Sequence, residues 1–393
     1  MQVQESDRIS KLPPYPFAKL RKRIAEKRAE GANIINLGIG DPDQPTPDTV
    51  VQELIRSIQD VQDPNRHRYG CDAPVQDAVR AVQDFYKRRY NVTLTADQIC
   101  MTSGSKDAIV QLCMGILNPG DLGIVPCPGY PTYNIGHVFA SAHTHRVPLR
   151  KSNQFLLDVN ELPAEVKRLA KIIWLNYPNN PTTALANLDY FKQMVDFAHE
   201  NNIILCHDSA YSENTYDGYA APSILQIPGA EEVAVEFFSL SKAFNMTGWR
   251  IGMVVGNKQA VSALRKVKEN SDNGTLRAIQ FAAVKALDSS EIIFQNINAI
   301  YKHRRDMVVK TLRENGWEVD SPKASIYVWA PVPEKFKGDS GAFADSLLEQ
   351  SGVVVTPGRA FGEFGEGFYR ISLTYPDDII QEALSRIKKL AHK

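Results

Sequence analysis

Short apolar runs alternate with longer amphipathic stretches through the middle of this 393-residue chain. Clusters of β-branched and other apolar residues predict strands at 98–102, 122–126, 171–175, 203–206, 233–239 and 250–255. Apolar positions at helical spacing predict helices at 107–117, 188–201 and 258–270. Strands that alternate with helices, and that are bounded by Gly, Pro and Asn turns, indicate an α/β fold with a mostly parallel sheet covered on both faces.

The C-terminal part of the chain has a different pattern. It predicts a helix around 292–315, strands at 325–330 and 368–373, and a closing helix at 376–390. This order indicates a smaller α+β unit, with which we expect the N-terminal segment to pack. The predicted division is therefore a large domain at 46–284 and a small domain formed by 1–45 and 285–393.

Composition narrows the class of partner. The chain has 45 Lys plus Arg against 45 Asp plus Glu, so no overall field attracts nucleic acid or an anionic membrane, and a small-molecule partner is favoured. The five cysteines contain no C-x-x-C pair, which favours packing roles in a reducing compartment over a disulfide framework or a metal site. The N-terminal stretch lacks the apolar core of a secretory signal, and no window reaches the about 20 apolar residues of a membrane span. We therefore expect a cytoplasmic protein.

A lysine follows one of the predicted strands, within the run 239–250 (SLSKAFNMTGWR). A single lysine is ordinarily a solvated surface charge. A lysine in a partly desolvated site near another cation has a lowered pKa, and its neutral amine attacks an aldehyde. Lys242, with Arg250 eight positions later, is therefore the candidate to hold a phosphorylated pyridinium aldehyde, provided that the other predicted strand ends supply matching groups.

Three residues at those strand ends match the ring of such a cofactor. Asp208 ends the run IILCHD, where an Asp is either a turn cap or the partner that keeps a pyridine nitrogen protonated. Tyr211 follows it, and Asn180 lies in the Pro- and Asn-rich turn NYPNNPTT. Both are candidates to donate to the phenolic oxygen of the ring, although the turn by itself only indicates a loop.

The run 103–106 (SGSK) lies between a predicted strand and a predicted helix, so its backbone N–H groups and Ser105 meet an anion at a helix N-terminus. A plain N-cap formed by Ser105 and Asp107 explains the same residues equally well. Further donors for one phosphate dianion come from the later run, namely Ser239, Ser241 and Arg250.

Three more residues are candidates for the ring and the substrate. Tyr130, at another strand end, either stacks on the ring or is a core or rim tyrosine. Arg370 alternates with apolar residues in FYRISLT, so it needs a buried partner, either the α-carboxylate of an amino acid or a structural Glu. Gly40, in LGIGD, allows the backbone to approach the same carboxylate.

Taken together, the motifs NLGIGDPDQPTP, TSGSKDAI, PCPGYPTY, NYPNNPTT, CHDSAYSE, SLSKAFNMTGWRIG and YRISLT resemble the class I/II aminotransferases of fold type I, from about residue 6 to the end. Within that family the chain is most similar to the LL-diaminopimelate aminotransferases, on segments such as LPPYPFAKL, KASIYVWAPVP and VVVTPGRAFGEFGEGFYR. The resemblance implies the pyridoxal phosphate (PLP) transferase fold, PLP as cofactor, and a homodimer with active sites at the subunit interface. It implies transfer of an amino group between an amino acid and a 2-oxo acid, with LL-2,6-diaminopimelate and 2-oxoglutarate/glutamate as the preferred pair.

The resemblance also assigns residue roles. It implies Lys242 as the Schiff-base lysine and then as the base that moves a proton. The positions that match cofactor-binding residues are Ser105, Lys106, Asn180, Asp208, Tyr211, Ser239, Ser241 and Arg250, besides the ring-stacking candidate Tyr130. Arg370, Gly40 and Asn180 match substrate-binding positions, Tyr15 is expected close to the substrate, and Tyr69 is expected to reach the cofactor phosphate of the neighbouring subunit.

Two departures from the family pattern bear on substrate choice. The usual Gly after Asn-Pro-Thr is Thr183, and the run after Tyr69 is GCDAPVQDAVR, with Pro74 and Val79 in place of a Gly and an Arg. Two rival functions share the binding residues: a C–S β-lyase, and a non-enzymatic regulator that binds PLP. The regulator is disfavoured because the chain has no basic face for DNA.

Overall fold

The computed structural model of the protein describes residues 3–12, 18–70 and 75–391. The helices in these ranges are α1 (Asp7–Ser10), α2 (Ala18–Ala29), α3 (Asp48–Gln59), α4 (Gln76–Tyr90), α5 (Ser105–Ile116), α6 (Thr132–Phe139), α7 (Ala164–Leu169), α8 (Leu188–Asn201), α9 (Ala230–Val233), α10 (Leu240–Ala243), α11 (Lys258–Ser271), α12 (Arg277–Asp288), α13 (Ser290–Glu314), α14 (Ser340–Ser351) and α15 (Asp377–Ala391). The strands are β1 (Ile35–Asn36), β2 (Ile99–Thr102), β3 (Leu122–Cys127), β4 (His143–Pro148), β5 (Ala170–Asn176), β6 (Ile204–Asp208), β7 (Ala234–Ser239), β8 (Gly252–Gly256), β9 (Tyr327–Pro331), β10 (Val353–Val354), β11 (Thr356–Pro357) and β12 (Phe368–Ser372).

A seven-stranded sheet forms the centre of the fold, in the order β2-β8-β7-β6-β5-β3-β4. Its paired strands are parallel except at β8, which runs antiparallel to both β2 and β7. The segment between β7 and β8 contains only the four-residue helix α10 and a short 3-10 helix at Thr247–Trp249, so the chain turns back instead of crossing over the sheet. The predicted mostly parallel α/β sheet is confirmed.

Helices cover both faces of this sheet, and alternate residues of its strands pack against different helices. Ile172 and Trp174 belong to a core cluster with residues of α5 and α11. Their neighbours Ile173 and Leu175 belong to a second cluster, with residues of α4 and α8. Strands buried on both faces are apolar at consecutive positions, which explains why β5 is a continuous apolar run in the sequence.

One strand of the central sheet was not predicted. β4 reads HTHRVP and pairs with β3 alone, at the edge of the sheet. An edge strand is partly solvated, so it does not need the apolar run by which the interior strands are recognised.

Two smaller sheets lie outside the central one. β9, β12 and β11 form an antiparallel sheet in the order β11-β12-β9, which includes both strands predicted near the C-terminus. β1 pairs with β10 in parallel, through Ile35 with Val353 and Asn36 with Val354. This pairing ties the segment before Gly40 to the C-terminal part of the chain.

Candidate active site

Residues predicted for the site follow the carboxyl ends of the central strands. The strands β2, β3, β5, β6 and β7 are followed, three or four residues later, by Ser105, Tyr130, Asn180, Tyr211 and Lys242, respectively. Because these strands run in the same direction, their carboxyl ends lie at one edge of the sheet, where ligands of open α/β sheets bind.

The antiparallel strand β8 contributes to the same edge by its amino end. Gly252, the first residue of β8, pairs with Thr102 at the end of β2 and with Ser239 at the end of β7. Arg250, two residues before Gly252, is therefore placed beside the ends of these neighbours.

A cavity of about 490 Å³ lies at this edge of the sheet. Twelve of the predicted site residues line it, namely Gly40, Ser105, Lys106, Tyr130, Asn180, Asp208, Tyr211, Ser239, Ser241, Lys242, Arg250 and Arg370. Tyr69 does not line it, and its side chain is 66% exposed. Tyr15 lies outside the described residues. The fold thus brings together groups that are up to 330 positions apart in the chain, from Gly40 to Arg370.

Lys242 has the environment expected of a reactive amine. Its Nζ donates a hydrogen bond of 2.8 Å to the carbonyl oxygen of Gly40. Burial lowers the pKa of Lys242, and the positive charges of Arg370 and Arg250 act in the same direction. A lowered pKa increases the fraction of neutral amine near pH 7.

Asp208 is buried, with 4% of its surface exposed. One carboxylate oxygen, Oδ2, accepts a hydrogen bond of 2.8 Å from the hydroxyl of Tyr133. The other, Oδ1, has no hydrogen-bond partner among the described residues. Burial raises the pKa of Asp208, while the Tyr133 hydrogen bond, the charge of His207 and the nearby backbone N–H of Ala210 oppose that shift. A buried carboxylate oxygen without a donor is costly, so this site is suited to a ligand that supplies an N–H.

The donors predicted for a phosphate line the same cavity. Gly104 precedes α5 with a φ of +89°, and a Cβ at this position would lie 2.6 Å from Nη2 of Arg250. Only glycine therefore lets the guanidinium lie against the start of α5. Ser239 caps α10 by accepting a 3.2 Å hydrogen bond from the backbone N–H of Ser241.

Arg370 is 3% exposed and makes no ion pair within the described part of the chain. Its Nη1 donates to Oδ1 of Asn180 at 2.6 Å, and its Nη2 donates to the carbonyl oxygen of Gly38 at 2.8 Å. The structural partner that would explain a buried arginine, a nearby Glu, is not found there. A buried cation that lines a cavity without a counter-ion is suited to an anionic ligand.

Several lining residues were missed by the sequence reasoning, among them Asp41, Asn176 and Tyr327. Tyr133, which contacts Asp208, was also missed. Tyr327 and Tyr133 each read as an ordinary core aromatic in the sequence, because nothing local distinguishes a buried phenol that contacts a site from one that only packs. The motif PCPGYPTY contained Tyr133, and its position after a strand end was the available signal.

Thr183, which replaces the usual glycine of the family pattern, has an unusual backbone conformation. Thr183 has a φ of +59°, in the left-handed region, and its backbone N–H donates to Asn179 at 2.9 Å. The turn after Asn180 therefore keeps a conformation that favours glycine, although a β-branched residue occupies it. Of the second departure, Pro74 lies outside the described residues, and Val79 lies within α4 and packs against the core.

A family model described as aminotransferase class I and II matches residues 32–387. The chain belongs to this family. It is 44% identical over 392 residues to an LL-diaminopimelate aminotransferase from Moorella thermoacetica, covering 100% of this chain and 99% of the relative. It is 46% identical over 383 residues to another from Dehalococcoides mccartyi, covering 97% of each. Among solved structures, apo-BacF from Bacillus subtilis is similar with a TM-score of 0.93 and 36% identity, covering 100% of this chain and 99% of that one.

The family confirms the predictions of fold type I, of a PLP-dependent aminotransferase and of PLP as the cofactor. No finding favours the C–S lyase. The residues that line the cavity of this aminotransferase fit PLP. The cofactor offers an N–H for Asp208, a carbonyl group for Lys242 and a phosphate for Arg250. None of the helices in the described ranges is long and apolar enough to cross a membrane.

Proposed function

We propose that the cavity holds PLP through the residues predicted for it, and that this aminotransferase uses it to interconvert LL-2,6-diaminopimelate and its 2-oxo acid, with 2-oxoglutarate and glutamate as the other pair. The observation that carries the site assignment is the unpartnered Oδ1 of Asp208, in the same cavity as the amine of Lys242 and the guanidinium of Arg250. These are the three groups that the nitrogen, the aldehyde and the phosphate of PLP require.

When bound, PLP supplies an aldehyde that combines with amino groups and a ring that accepts the electron pair left at the substrate Cα. Asp208 would accept a hydrogen bond from the ring nitrogen and hold its proton. Tyr211 and Asn180 would contact the ring oxygen, and Tyr130 the face of the ring. Ser105, Lys106, Ser239, Ser241 and Arg250 would hold the phosphate.

Lys242 moves the proton in this scheme. Burial lowers the pKa of its Nζ and so favours the neutral amine, which would remove the proton from the substrate Cα and later return it on the other side of the C–N bond. The carbonyl oxygen of Gly40 accepts one N–H of this amine at 2.8 Å and thereby orients it.

Arg370 would bind the α-carboxylate of the substrate. Each of its terminal nitrogens has one N–H engaged by Asn180 or Gly38, which fixes the plane of the guanidinium and leaves donors for a ligand. Two parallel N–H donors match the two oxygens of a carboxylate.

The choice of diaminopimelate is supported by the names of the relatives, whose chains align with this one over nearly their whole length. The cavity agrees with a substrate that has a second charged end, because its lining includes the carboxylate of Asp41 besides the residues assigned above. A second ammonium group is a suitable partner for that carboxylate.

We further propose the division into a large domain at 46–284 and a small domain of 1–45 and 285–393, in a homodimer. The central sheet supports the first part, since its strands lie between Ile99 and Gly256. The exposure of Tyr69, outside the cavity of its own chain, supports a role at the site of a partner.

Amino donors, including LL-diaminopimelate, incubated with 2-oxoglutarate test the proposed reaction. We expect glutamate to form and, without an acceptor, pyridoxamine phosphate to accumulate. Release of pyruvate and ammonia in its place would identify a lyase. Borohydride should fix the cofactor to wild type and to Lys192→Ala, a surface control, but not to Lys242→Ala; fixation in the last variant would disprove the assignment of Lys242.

Mixing two variants with impaired sites tests the dimer. Tyr69→Phe and Lys242→Ala chains, refolded together, should regain about one quarter of the wild-type sites if Tyr69 serves the partner subunit, because half of the dimers are hybrids with one intact site. No recovery from the mixture, or a monomer in light scattering, would contradict the proposal.

A further inference from the structure

Tyr327 lies on β9, and three residues of the proposed mechanism contact it: Arg370, Tyr211 and Gly40. We propose that Tyr327 is a positioning residue, which holds the guanidinium of Arg370 with its ring and directs the hydroxyl of Tyr211 with its own. This inference rests on the proposed function and extends it to a residue that no motif indicated.

The ring of Tyr327 supports Arg370. The guanidinium carbon of Arg370 lies 3.9 Å from the centroid of the Tyr327 ring and 4.7 Å from that of Phe361. Nε of Arg370 has no hydrogen-bond partner among the described residues, so the aromatic faces supply part of the stabilisation of this buried cation. The position of the guanidinium plane therefore depends on this ring. The binding of a carboxylate by Arg370 depends on it in turn.

The hydroxyl of Tyr327 directs Tyr211. The two hydroxyl oxygens are 3.2 Å apart, and the rings meet edge to face with centroids at 5.7 Å. Burial raises the pKa of Tyr211 well above its usual value, so this phenol is neutral and has one proton to donate. If Tyr211 donates that proton to the ring oxygen of the cofactor, the hydrogen bond between the two tyrosines must be donated by Tyr327. Such a chain of donors strengthens the outer hydrogen bond.

The third contact is with Gly40, and the hydroxyl of Tyr327 occupies the space that a side chain at this position would fill. A Cβ at Gly40 would lie 1.9 Å from the hydroxyl oxygen of Tyr327. The carbonyl of the same glycine accepts the hydrogen bond from Lys242. Tyr327 thus also packs directly against the backbone that orients the amine.

Two substitutions separate the two roles. Tyr327→Phe keeps the ring and removes only the hydroxyl, whereas Tyr327→Leu removes both. Tyr369→Phe is the matched control, because Tyr369 is buried on the neighbouring strand β12 and its hydroxyl has no partner within the described ranges. Circular dichroism and the thermal midpoint of each apo-protein establish that the variant is folded.

For Tyr327→Phe we expect the pH midpoint of the visible absorbance of the loaded protein to move upward, because the ring oxygen of the cofactor loses stabilisation and retains a proton to higher pH. We expect kcat to fall about fivefold, the value of one neutral hydrogen bond, with KM unchanged. For Tyr327→Leu we expect an additional rise of about tenfold in KM and in the dissociation constant of glutarate, used as a carboxylate probe, since Arg370 loses its aromatic support. Tyr369→Phe should match the wild type.

An unchanged absorbance midpoint in Tyr327→Phe, or an unchanged glutarate affinity in Tyr327→Leu, would overturn the proposal. Both measurements are independent of turnover. They therefore test Tyr327 even if the wild-type protein fails to transaminate the donors offered, an outcome that would count against the proposed reaction alone.

Discussion

The hydroxyl of Tyr133 donates a 2.8 Å hydrogen bond to Oδ2 of Asp208, and within the described part of the chain Oδ1 of the same carboxylate has no partner. The ring of Tyr133 stacks on Trp174, with centroids 4.9 Å apart and planes at 9°. Burial raises the pKa of Tyr133 well above its usual value, so this phenol keeps the proton that it donates to Asp208. The carboxylate of Asp208 is therefore held at one oxygen and available at the other.

Replacement of Asp208 by asparagine should remove most of the activity. The amide of Asp208→Asn would keep an acceptor for Tyr133, but it would offer no charge to stabilise a protonated ring nitrogen. We expect kcat/KM to fall by about 10³-fold, in the range found for a lost electrostatic group in an active site. Steady-state kinetics would measure this, with Asp196→Asn as an exposed control that should retain activity.

The same substitution should stabilise the apo-protein, and more so as the pH rises. Burial raises the pKa of Asp208 above its ordinary value of 3.8. Between pH 3.8 and the pKa in the folded state, the folded protein therefore binds more protons than the unfolded protein. The free energy of unfolding of the wild type therefore falls as the pH increases through this window, whereas Asp208→Asn lacks that loss. Urea unfolding of both apo-proteins from about pH 4 to pH 8 tests this. A constant difference between the two would contradict it.

Gly40→Ala should impair the enzyme although the change is one methyl group. The added Cβ would overlap the Tyr327 hydroxyl and displace either the ring or the carbonyl that holds Lys242. We expect a loss of about 10²-fold in kcat/KM, as for small displacements of catalytic groups. Gly248→Ala is the control, since Gly248 also lines the cavity but a Cβ there meets nothing within 4 Å. Equal effects of the two substitutions would show that the contact with Tyr327 is unimportant.

Thr183→Gly should increase stability. A β-branched residue at a φ of +59° is strained by about 1 to 3 kcal/mol, and the greater entropy of glycine in the unfolded chain offsets only part of that gain. We expect the free energy of unfolding to rise by about 1 kcal/mol, measured by urea titration. Thr182→Gly, which removes a hydroxyl that donates to Asn179, should instead destabilise the protein.

The sequence pattern was sufficient for the interior strands and for the residues that follow them. β5, β6 and β7 are recognisable because they are buried on both faces, and the ligand-binding edge of such a sheet is defined by the direction of its strands. The pattern therefore places Lys242, Asp208 and Asn180 at one edge of the sheet. The edge strand β4 was not predicted from the sequence, because solvent replaces apolar neighbours on one side of it.

By itself, the sequence determined the class of fold, the aminotransferase family and most of the groups that line the cavity, because these depend on periodicity and on motifs a few residues long. Only the tertiary structure decided which phenols touch those groups. Tyr133 meets Asp208 from 75 positions away, and Tyr327 meets Tyr211 from 116 positions away. Contacts at such separations arise from how helices and sheets pack, and no local pattern of residues records them.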